Sequence, residues 1–309
     1  MIVTVTPNPA IDETLWVEAL APGHVHRPSE VQLDPAGKGI NVSRMAHRLG
    51  WPTLALGFLA GEVGHIVERA LDQERVQHHF IRVPGQTRVN VTIVERGARA
   101  TSLFCPGAPV DAEALARLDE VIDVWLRACR VLVLAGSLPP GIPEDIYARW
   151  VARAHRQRVR TIVDSDGEAG RLALAARPWL IKPNQSEAER LLGRRLPDDA
   201  AILEGARDLV RAGAEVVVIS LGHGGAICVE GERGWRIRPP AIERLSTVGS
   251  GDSLVAGLAV ALARGGSLEE GLRIGTAAGA ATAMSPGTAL GTLEDLTRLL
   301  PDVQVTPCP

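Results

Sequence analysis

Short apolar runs alternate along the chain with longer segments in which apolar residues recur at helical spacing. This alternation is typical of β-α-β units, in which helices cover a mostly parallel sheet. The clearest buried-strand candidates are four apolar runs at residues 131–135, 161–163, 180–181 and 216–219. A polar or glycine-containing turn follows each run, and ligands of open α/β sheets bind at such strand ends. We therefore expect an α/β fold with a mostly parallel central sheet flanked by helices.

Residues 88–93 follow a different pattern, because polar and apolar side chains alternate there with a period of two. Arg88, Asn90 and Thr92 would share one face of a half-buried strand, with apolar residues on the other face. Together with segments near residues 12–34 and 100–104, this strand predicts a small second sheet. The pattern fits a lid over a cleft and an extension of the edge of the main sheet equally well.

Composition narrows the classes of function. The 309 residues are 46% apolar, which is enough for a large core. A formal net charge of −3 gives no excess that would favour nucleic acid or an anionic membrane. No secretory signal and no apolar stretch long enough to span a membrane is visible, and the four cysteines contain no CxxC pair. We expect a cytoplasmic protein that binds small molecules, with neither nucleic acid nor a membrane as partner.

The sharpest local feature is Gly249, Ser250 and Gly251, which precede Asp252 and a long stretch compatible with a helix. Glycines before a helix let backbone N–H groups converge on an anion, and the helix dipole adds partial positive charge. Because a carboxylate repels phosphate, Asp252 needs another role, such as taking the proton of a hydroxyl that attacks a phosphoryl group. The alternative, and the commoner case for an isolated Gly-x-Gly-Asp segment, is that Asp252 only caps the helix. The segment lacks the third glycine of a dinucleotide fingerprint, and the chain contains no P-loop motif.

A second glycine-rich helix start occurs at Gly37, Lys38 and Gly39, with Gly50 as the predicted end of that helix. Two such helix starts in one chain predict two phosphorylated ligands. Lys38 would contribute a point charge, and Arg88 a planar group that suits phosphate oxygens. Taken alone, Lys38 also fits a solvated turn residue.

Two further candidates lie beyond predicted strands. Asp12 follows the first strand and could accept hydrogen bonds from sugar hydroxyls, although acids in such turns are often simply exposed. Asn184 and Glu187 follow the run at 180–181, where an amide and a carboxylate could hold a hydrated Mg²⁺. The same segment fits a helix N-terminus with Ser186 and Glu189 as a capping box, and the two interpretations are compatible.

These segments together resemble the ribokinase-like sugar kinase family over nearly the whole chain. The resemblance is carried, in the order of the family, by residues 6–12, 36–44, 87–91, 136–139, 182–184, 220–222 and 246–252. Within the family, the chain is most similar to the branch that acts on phosphorylated ketohexoses. The Gly-Lys-Gly segment and the Arg88 strand favour its 1-phosphofructokinase and tagatose-6-phosphate kinase members over the minor 6-phosphofructokinase. Ser250 stands where alanine is common in the family, which matters little in a site built from backbone donors.

The resemblance implies a single ribokinase-like kinase domain over residues 1–309, with lid strands from about 12–34 and 86–105 and a homodimer formed through the lid. It implies ATP and Mg²⁺ as cofactors and a sugar phosphate as the small-molecule partner. The expected reaction converts fructose 1-phosphate to fructose 1,6-bisphosphate, with 6-phosphofructokinase or tagatose-6-phosphate kinase activity as the alternative.

The resemblance also implies roles for individual residues. Asp252 would be the catalytic base, and the backbone at Gly249, Ser250 and Gly251 would form the anion hole. The residues expected on the sugar side are Asp12, Gly37, Lys38, Gly39, Asn41, Arg88, Asn90 and Ser137. The residues expected on the nucleotide side are Lys182, Asn184, Ser220, Gly222, Gly225 and Thr247, with Asn184 and Glu187 near Mg²⁺.

Three other functions remain open. A kinase for a neutral sugar or nucleoside would not need two cations near the acceptor. A non-catalytic sugar-phosphate sensor is disfavoured by the intact Gly-Ser-Gly-Asp segment, and an oxidoreductase by the missing dinucleotide fingerprint.

Overall fold

A computed structural model describes residues 1–97 and 99–308. The strands are β1 (Ile2–Thr6), β2 (Ala10–Val17), β3 (Glu30–Ala36), β4 (Thr53–Leu59), β5 (Gln77–Arg82), β6 (Arg88–Glu95), β7 (Ala100–Leu103), β8 (Val131–Ala135), β9 (Arg160–Asp164), β10 (Leu180–Ile181), β11 (Val216–Ser220), β12 (Ala226–Glu230), β13 (Arg233–Arg238) and β14 (Gln304–Cys308). The helices are α1 (Lys38–Arg48), α2 (Gly61–Gln73), α3 (Ala112–Leu126), α4 (Ile146–Arg156), α5 (Gly167–Ala175), α6 (Gln185–Leu192), α7 (Asp199–Ala212), α8 (Ser250–Arg264), α9 (Leu268–Ala283) and α10 (Leu293–Leu299).

Ten strands form one sheet in the order β14-β13-β12-β11-β10-β9-β8-β1-β4-β5. The strands from β11 to β5 in that order run parallel, and β12, β13 and β14 extend the sheet through antiparallel pairs. The four predicted apolar runs are confirmed as β8, β9, β10 and β11, which lie side by side. Their carboxyl ends therefore meet at one edge of the sheet, as expected for parallel strands.

Helices cover both faces of this sheet. On one face Leu132 of β8 packs in a core with Leu118 of α3 and Trp150 of α4. On the other face Val133 packs in a second core with Val255 of α8. Full burial of one such side chain contributes about 1.5–3 kcal/mol, so the two cores fix the helices on the sheet. In the part of the chain that the structure describes, no helix is both long and apolar enough to cross a membrane.

Four strands form a separate small sheet in the order β3-β2-β6-β7. Strands β2 and β6 run parallel with Asp12 opposite Asn90, while β3 and β7 pair with them in the antiparallel sense. The predicted second sheet is confirmed. An extension of the main sheet is wrong, because within residues 1–97 and 99–308 no strand pair joins the two sheets. Since β2 begins four residues after β1 ends, the small sheet starts at the carboxyl end of a central strand.

Candidate active site

The first turn of α8 contains the segment that the sequence predicts to bind an anion. Gly249 caps the helix with φ 77° and ψ −11°, a left-handed conformation that glycine adopts without the steric cost of a side chain. The first intrahelical bond runs from the Ser253 N–H to the Gly249 carbonyl. The N–H groups of residues 250–252 therefore precede the hydrogen-bonded part of the helix and point outward, where the helix dipole is positive.

Asp252 lies in that first turn and is 8% exposed. Its Oδ2 accepts a hydrogen bond of 2.8 Å from Nδ2 of Asn41 in α1. Burial and the nearby charge of Asp164 raise the pKa of Asp252 to about 7, against the opposing effects of the Asn41 hydrogen bond and of Lys38 and Lys182. A carboxyl group with a pKa near neutrality is suited to exchange protons with a substrate.

Two lysines share one buried carboxylate beside Asp252. Nζ of Lys38 lies 2.8 Å from Oδ1 of Asp164, and Nζ of Lys182 lies 3.1 Å from Oδ2. Burial raises the pKa of Asp164, but the two positive charges outweigh burial, and the net pKa lies below its ordinary value. A Cβ atom at Gly251 would lie 3.3 Å from Nζ of Lys182, so this ammonium group adjoins the first turn of α8.

A cavity of about 520 Å³ opens beside these groups. All six residues predicted on the nucleotide side line it: Lys182, Asn184, Ser220, Gly222, Gly225 and Thr247. The lining also includes Lys38, Glu187 and the segment predicted to be catalytic, at Ser250, Gly251 and Asp252. The structure thus brings the predicted nucleotide residues and the predicted base together in one cavity.

Sequence reasoning missed part of the lining, namely Asp164, His223, Ile242, Arg244, Thr276 and Ala280. A signal existed for Asp164, which ends β9 at the same sheet edge as the predicted residues. Thr276 and Ala280 belong to α9, whose small and apolar residues are equally typical of a core helix. No local pattern therefore indicates that α9 forms a cavity wall.

Asn184 and Glu187 form a reciprocal cap at the start of α6. Asn184 Oδ1 accepts from the Glu187 N–H, and Glu187 Oε2 accepts from the Asn184 N–H. The predicted capping box at Ser186 and Glu189 is wrong, because α6 begins two residues earlier than that pair requires. The second Glu187 oxygen, Oε1, is not used by the cap and lies 3.9 Å from Lys38 Nζ. This donor set fits Mg²⁺, which needs only one or two carboxylates and keeps several waters.

The small sheet presents a separate polar group of predicted residues. Asn90 Nδ2 donates to Asp12 Oδ1 at 2.8 Å, and Arg88 donates to the Asn8 carbonyl at 2.9 Å. Burial raises the pKa of Asp12, while the Asn90 hydrogen bond and the Arg88 charge oppose this. The exposed Ser137 accepts from Asn8 Nδ2 at 3.2 Å. Asp12, Arg88, Asn90 and Ser137 therefore form one group around the turn that follows β1.

The start of α1 lies between the two groups. A Cβ atom on Gly39 would come within 2.5 Å of Thr6 Oγ1, so only glycine lets α1 approach β1 this closely. Gly37 caps α1 without a side-chain hydrogen bond. The Lys38 ammonium pairs with Asp164 in the cavity, whereas Arg88 does not line that cavity, and the predicted role of both cations at the sugar's phosphate stays a prediction. It is also not a solvated turn residue, since it lies in α1 and its side chain is only 35% exposed.

Comparison with known proteins gives a consistent answer. Residues 6–295 match the pfkB family of carbohydrate kinases. A 1-phosphofructokinase of Xanthomonas campestris pv. campestris is 38% identical over 281 residues, which cover 89% of this chain and 88% of that protein. The crystal structure of phosphofructokinase-2 from Escherichia coli in complex with substrates and products superposes with a TM-score of 0.92 at 32% identity, covering 97% of this chain and 98% of that one.

A solved structure of lower sequence identity shares the same fold. A ribokinase of Arabidopsis thaliana complexed with ribose and ATP has a TM-score of 0.81 at 22% identity, covering 97% of this chain and 98% of that one. At that identity the likeness concerns the fold alone, and it confirms the ribokinase-like arrangement predicted from the sequence. With the match over residues 6–295, it follows that this chain belongs to the pfkB family of carbohydrate kinases.

Proposed function

We propose that this chain is an ATP-dependent sugar-phosphate kinase that converts fructose 1-phosphate to fructose 1,6-bisphosphate. The observation that carries this proposal is the position of Asp252. Its carboxylate lines the cavity and also contacts α1, whose start lies beside the polar group of the small sheet. A donor bound in the cavity and an acceptor bound under the small sheet would meet at this carboxylate.

The cavity suits a nucleotide. Its volume of about 520 Å³ lies within the usual range of about 300–1,000 Å³ for small-molecule sites. Apolar residues such as Ile242 and Ala280 could pack against the nucleobase of ATP, while the lysines and the start of α8 would face its phosphates. Bound Mg²⁺, held through water by Asn184 and Glu187, would neutralise phosphate charge.

The acceptor side supports a phosphorylated sugar. In the part of the chain that the structure describes, Asn41 Oδ1, Asn90 Oδ1 and Arg88 Nε are buried without a hydrogen-bond partner. Buried polar atoms are normally paired, so these atoms are suited to a polar ligand. Two acceptors and a guanidinium donor match sugar hydroxyls and one phosphate. The name of the 38% identical relative makes fructose 1-phosphate the first candidate.

The chemistry assigned to this chain is an in-line transfer. Asp252 accepts the proton of the C6 hydroxyl as the hydroxyl oxygen forms a bond to the γ-phosphorus, and the bond from that phosphorus to the bridging oxygen of ADP breaks. The N–H groups at residues 250–252, with Lys38 and Lys182, stabilise the negative charge on the transferred group. Each of these groups already lies beside the base.

The proposal includes a lid function for the small sheet within a single domain over residues 1–309. Strand alternation places Asp12, Asp34 and Asn90 on one face and Leu33 and Val91 on the other. The polar face would close over the sugar and exclude water, which otherwise would compete for the phosphoryl group. The apolar face, with Val31, Leu33 and Leu103 between 52% and 58% exposed, would pair with a second copy of the chain.

An ADP-release assay with a panel of acceptors tests the proposed function. The panel contains fructose 1-phosphate, fructose 6-phosphate, tagatose 6-phosphate, fructose and ribose, each with ATP and Mg²⁺. We expect the highest kcat/KM for fructose 1-phosphate. A preference for another ketose phosphate would overturn the acceptor assignment, and release with none of the five would overturn the kinase proposal itself.

A further inference from the structure

The side chains of Asn41 and Asp252 meet although they are 211 positions apart in the chain. Asn41 is 6% exposed and Asp252 is 8% exposed, so water does not compete freely for their hydrogen bond. Each residue lies in the first turns of its helix, and α1 and α8 bring these helix starts together. The contact is therefore built by the tertiary fold.

The hydrogen bond engages one carboxylate oxygen and leaves the other available. Asn41 Nδ2 donates to Oδ2. Within residues 1–97 and 99–308, no second hydrogen bond to the Asp252 carboxylate is present, so Oδ1 is unoccupied by protein donors. Rotation about the terminal torsion of an aspartate is otherwise soft, and a general base needs a defined direction toward the proton it accepts.

We propose that Asn41 is a positioning residue for the base: its amide holds Oδ2 of Asp252, so that Oδ1 is presented to the acceptor hydroxyl. The proposal rests on the proposed kinase function and deepens it. It differs from the role that the family resemblance implies for Asn41, which is contact with a sugar hydroxyl. The two roles use different atoms, because Nδ2 binds Asp252 while Oδ1 is buried without a protein partner.

Charged groups reach Asp252 from several elements. Lys38 projects from α1, Asp164 from the end of β9 and Lys182 from the segment after β10. Glu187 of α6 lines the same cavity beside Lys38, and the nearby part of α9 presents neutral side chains such as Thr276. None of the groups named above donates a hydrogen bond to the Asp252 carboxylate, whereas Asn41 does. This hydrogen bond lowers the pKa of Asp252. Loss of the donor should therefore favour the protonated form, which cannot act as a base.

The test uses Asn41→Leu, which keeps a side chain of similar shape without the donor. At pH 7 and saturating sugar phosphate, we expect kcat to fall about tenfold or more. The acid limb of the kcat profile should move to higher pH, while the KM for ATP stays within about twofold. A rise in the KM for the sugar phosphate alone, with kcat and the acid limb unchanged, would overturn the proposal, because Asn41 would then contact only the sugar.

Two further variants separate an effect on the Asp252 carboxylate from a general destabilisation of α1. Asn41→Asp keeps the shape but places a second carboxylate beside Asp252, so the acid limb should move further upward. Ser43→Ala removes buried hydrogen bonds of α1 to Thr4 and Thr53 and does not touch Asp252. An equal shift of the acid limb in Ser43→Ala would show a general effect of a destabilised α1 and would also overturn the proposal.

A substrate-free measurement separates this inference from the proposed function. The Asp252 carboxyl is titrated by ¹³C NMR in wild type and Asn41→Leu, with Asp252→Asn to assign its signal. A midpoint at higher pH in Asn41→Leu supports the positioning contact even if the acceptor panel gives no turnover. An unchanged midpoint refutes the contact even if the wild type is an active kinase.

Discussion

Lys38 Nζ lies 2.8 Å from Asp164 Oδ1, and this contact joins the start of α1 to the end of β9 at the base of the cavity. The carboxylate is 1% exposed, and Lys182 occupies its other side at 3.1 Å. One buried anion thus sets the positions of two ammonium groups that face the proposed phosphates. The arrangement also restricts the movement of both lysines. If either ammonium group moved away, the buried carboxylate of Asp164 would lose part of its charge compensation.

Asp164→Asn should therefore destabilise the protein as well as weaken nucleotide binding. Removal of one partner of a buried ion pair costs about 3–5 kcal/mol, because uncompensated charge remains. The folded pKa of Asp164 is lowered, so its contribution is complete above the ordinary aspartate pKa of about 3.9 and is lost as pH falls below that value. Urea unfolding at pH 7 and pH 3 should show a large difference from wild type that narrows at the lower pH.

Asp166→Asn is the matched control for that prediction. Asp166 lies two residues further along, is exposed, and pairs with Arg190 at 3.3 Å on the surface. Surface ion pairs contribute about 0–1 kcal/mol, so this variant should unfold close to wild type. Equal destabilisation by the two substitutions would contradict a special role for Asp164.

Asp164 and Asp166 also show where sequence reasoning ends. Both occur in one polar turn after a predicted strand, and only the position of Asp164 directly after the apolar run distinguishes it in the sequence. The fold separates them, because one ends β9 between two lysines while the other faces solvent. Local periodicity located the four central strands, since their apolar runs are continuous. It could not tell which acid in a turn points inward.

The contacts of Lys38 and the start of α6 could not be predicted from the sequence, for the same reason. The prediction assigns Lys38 and Arg88 to one phosphate because both are cations, whereas the ion pair of Lys38 with Asp164 depends on which helix start faces which strand end. At α6, Asn184 with Glu187 and Ser186 with Glu189 both satisfy the spacing of a capping box. The structure selects the first pair, so α6 starts immediately after the turn that follows β10. The sequence singles out Asp252 because its glycine-rich helix start is a local signal, and its role as the base stays a prediction.

Asp252→Asn should separate activity from stability. Without the base, kcat should fall by about 10²–10⁴ while ATP still binds, which single-turnover and titration measurements can show. The folded pKa of about 7 lies above the ordinary value, so wild-type stability falls as pH rises from about 4 through about 7. The variant lacks that loss. The free energy of unfolding of the variant minus that of the wild type should therefore be up to ~4 kcal/mol larger at pH 8 than at pH 4. The same difference at both pH values would contradict a buried ionised base.

Arg88→Ala should raise the KM for the sugar phosphate and leave the KM for ATP unchanged. Arg88 lies in the small sheet with Nε buried and unpartnered in the described part of the chain, and it does not line the nucleotide cavity. A hydrogen bond to a charged group contributes about 1.5–3 kcal/mol, so the expected rise is about 10- to 100-fold. Arg96→Ala, which removes an exposed ion pair with Glu18 in the turn after β6, is the control and should leave both values unchanged.

The apolar face of the small sheet predicts a dimer that a single charge can disrupt. Leu33 is 54% exposed and lies in one row across the sheet with Glu13, Val91 and Leu103. Leu33→Glu should shift the mass measured by light scattering from two chains toward one, because a second carboxylate opposite Glu13 would be costly to bury in an apolar interface. Val124→Arg, at a 63% exposed position on α3, should leave the mass unchanged. A monomeric wild type at micromolar concentration would contradict the proposed dimer.

Arg244 should contribute to nucleotide binding in a way that the two lysines cannot. It lines the cavity and is exposed, and within the described residues its side chain has no hydrogen bond or ion pair. Lys38 and Lys182 already share Asp164, so among the described lysines and arginines that line the cavity it is Arg244 that can turn toward phosphate oxygens without breaking a contact. Its exposure limits the gain, and we expect Arg244→Ala to raise the KM for ATP by about 3- to 10-fold.

Calorimetric titration with ATP and with adenosine gives the sharper measurement. If the guanidinium binds phosphate, Arg244→Ala weakens ATP binding and leaves adenosine binding unchanged, and the ATP effect shrinks as salt rises. Arg238→Ala removes another exposed charge, at the end of β13, without altering the cavity lining, so it controls for the overall loss of one positive charge. Similar losses in both variants would assign the effect to long-range charge, and an equal loss for adenosine would place Arg244 against the nucleoside instead.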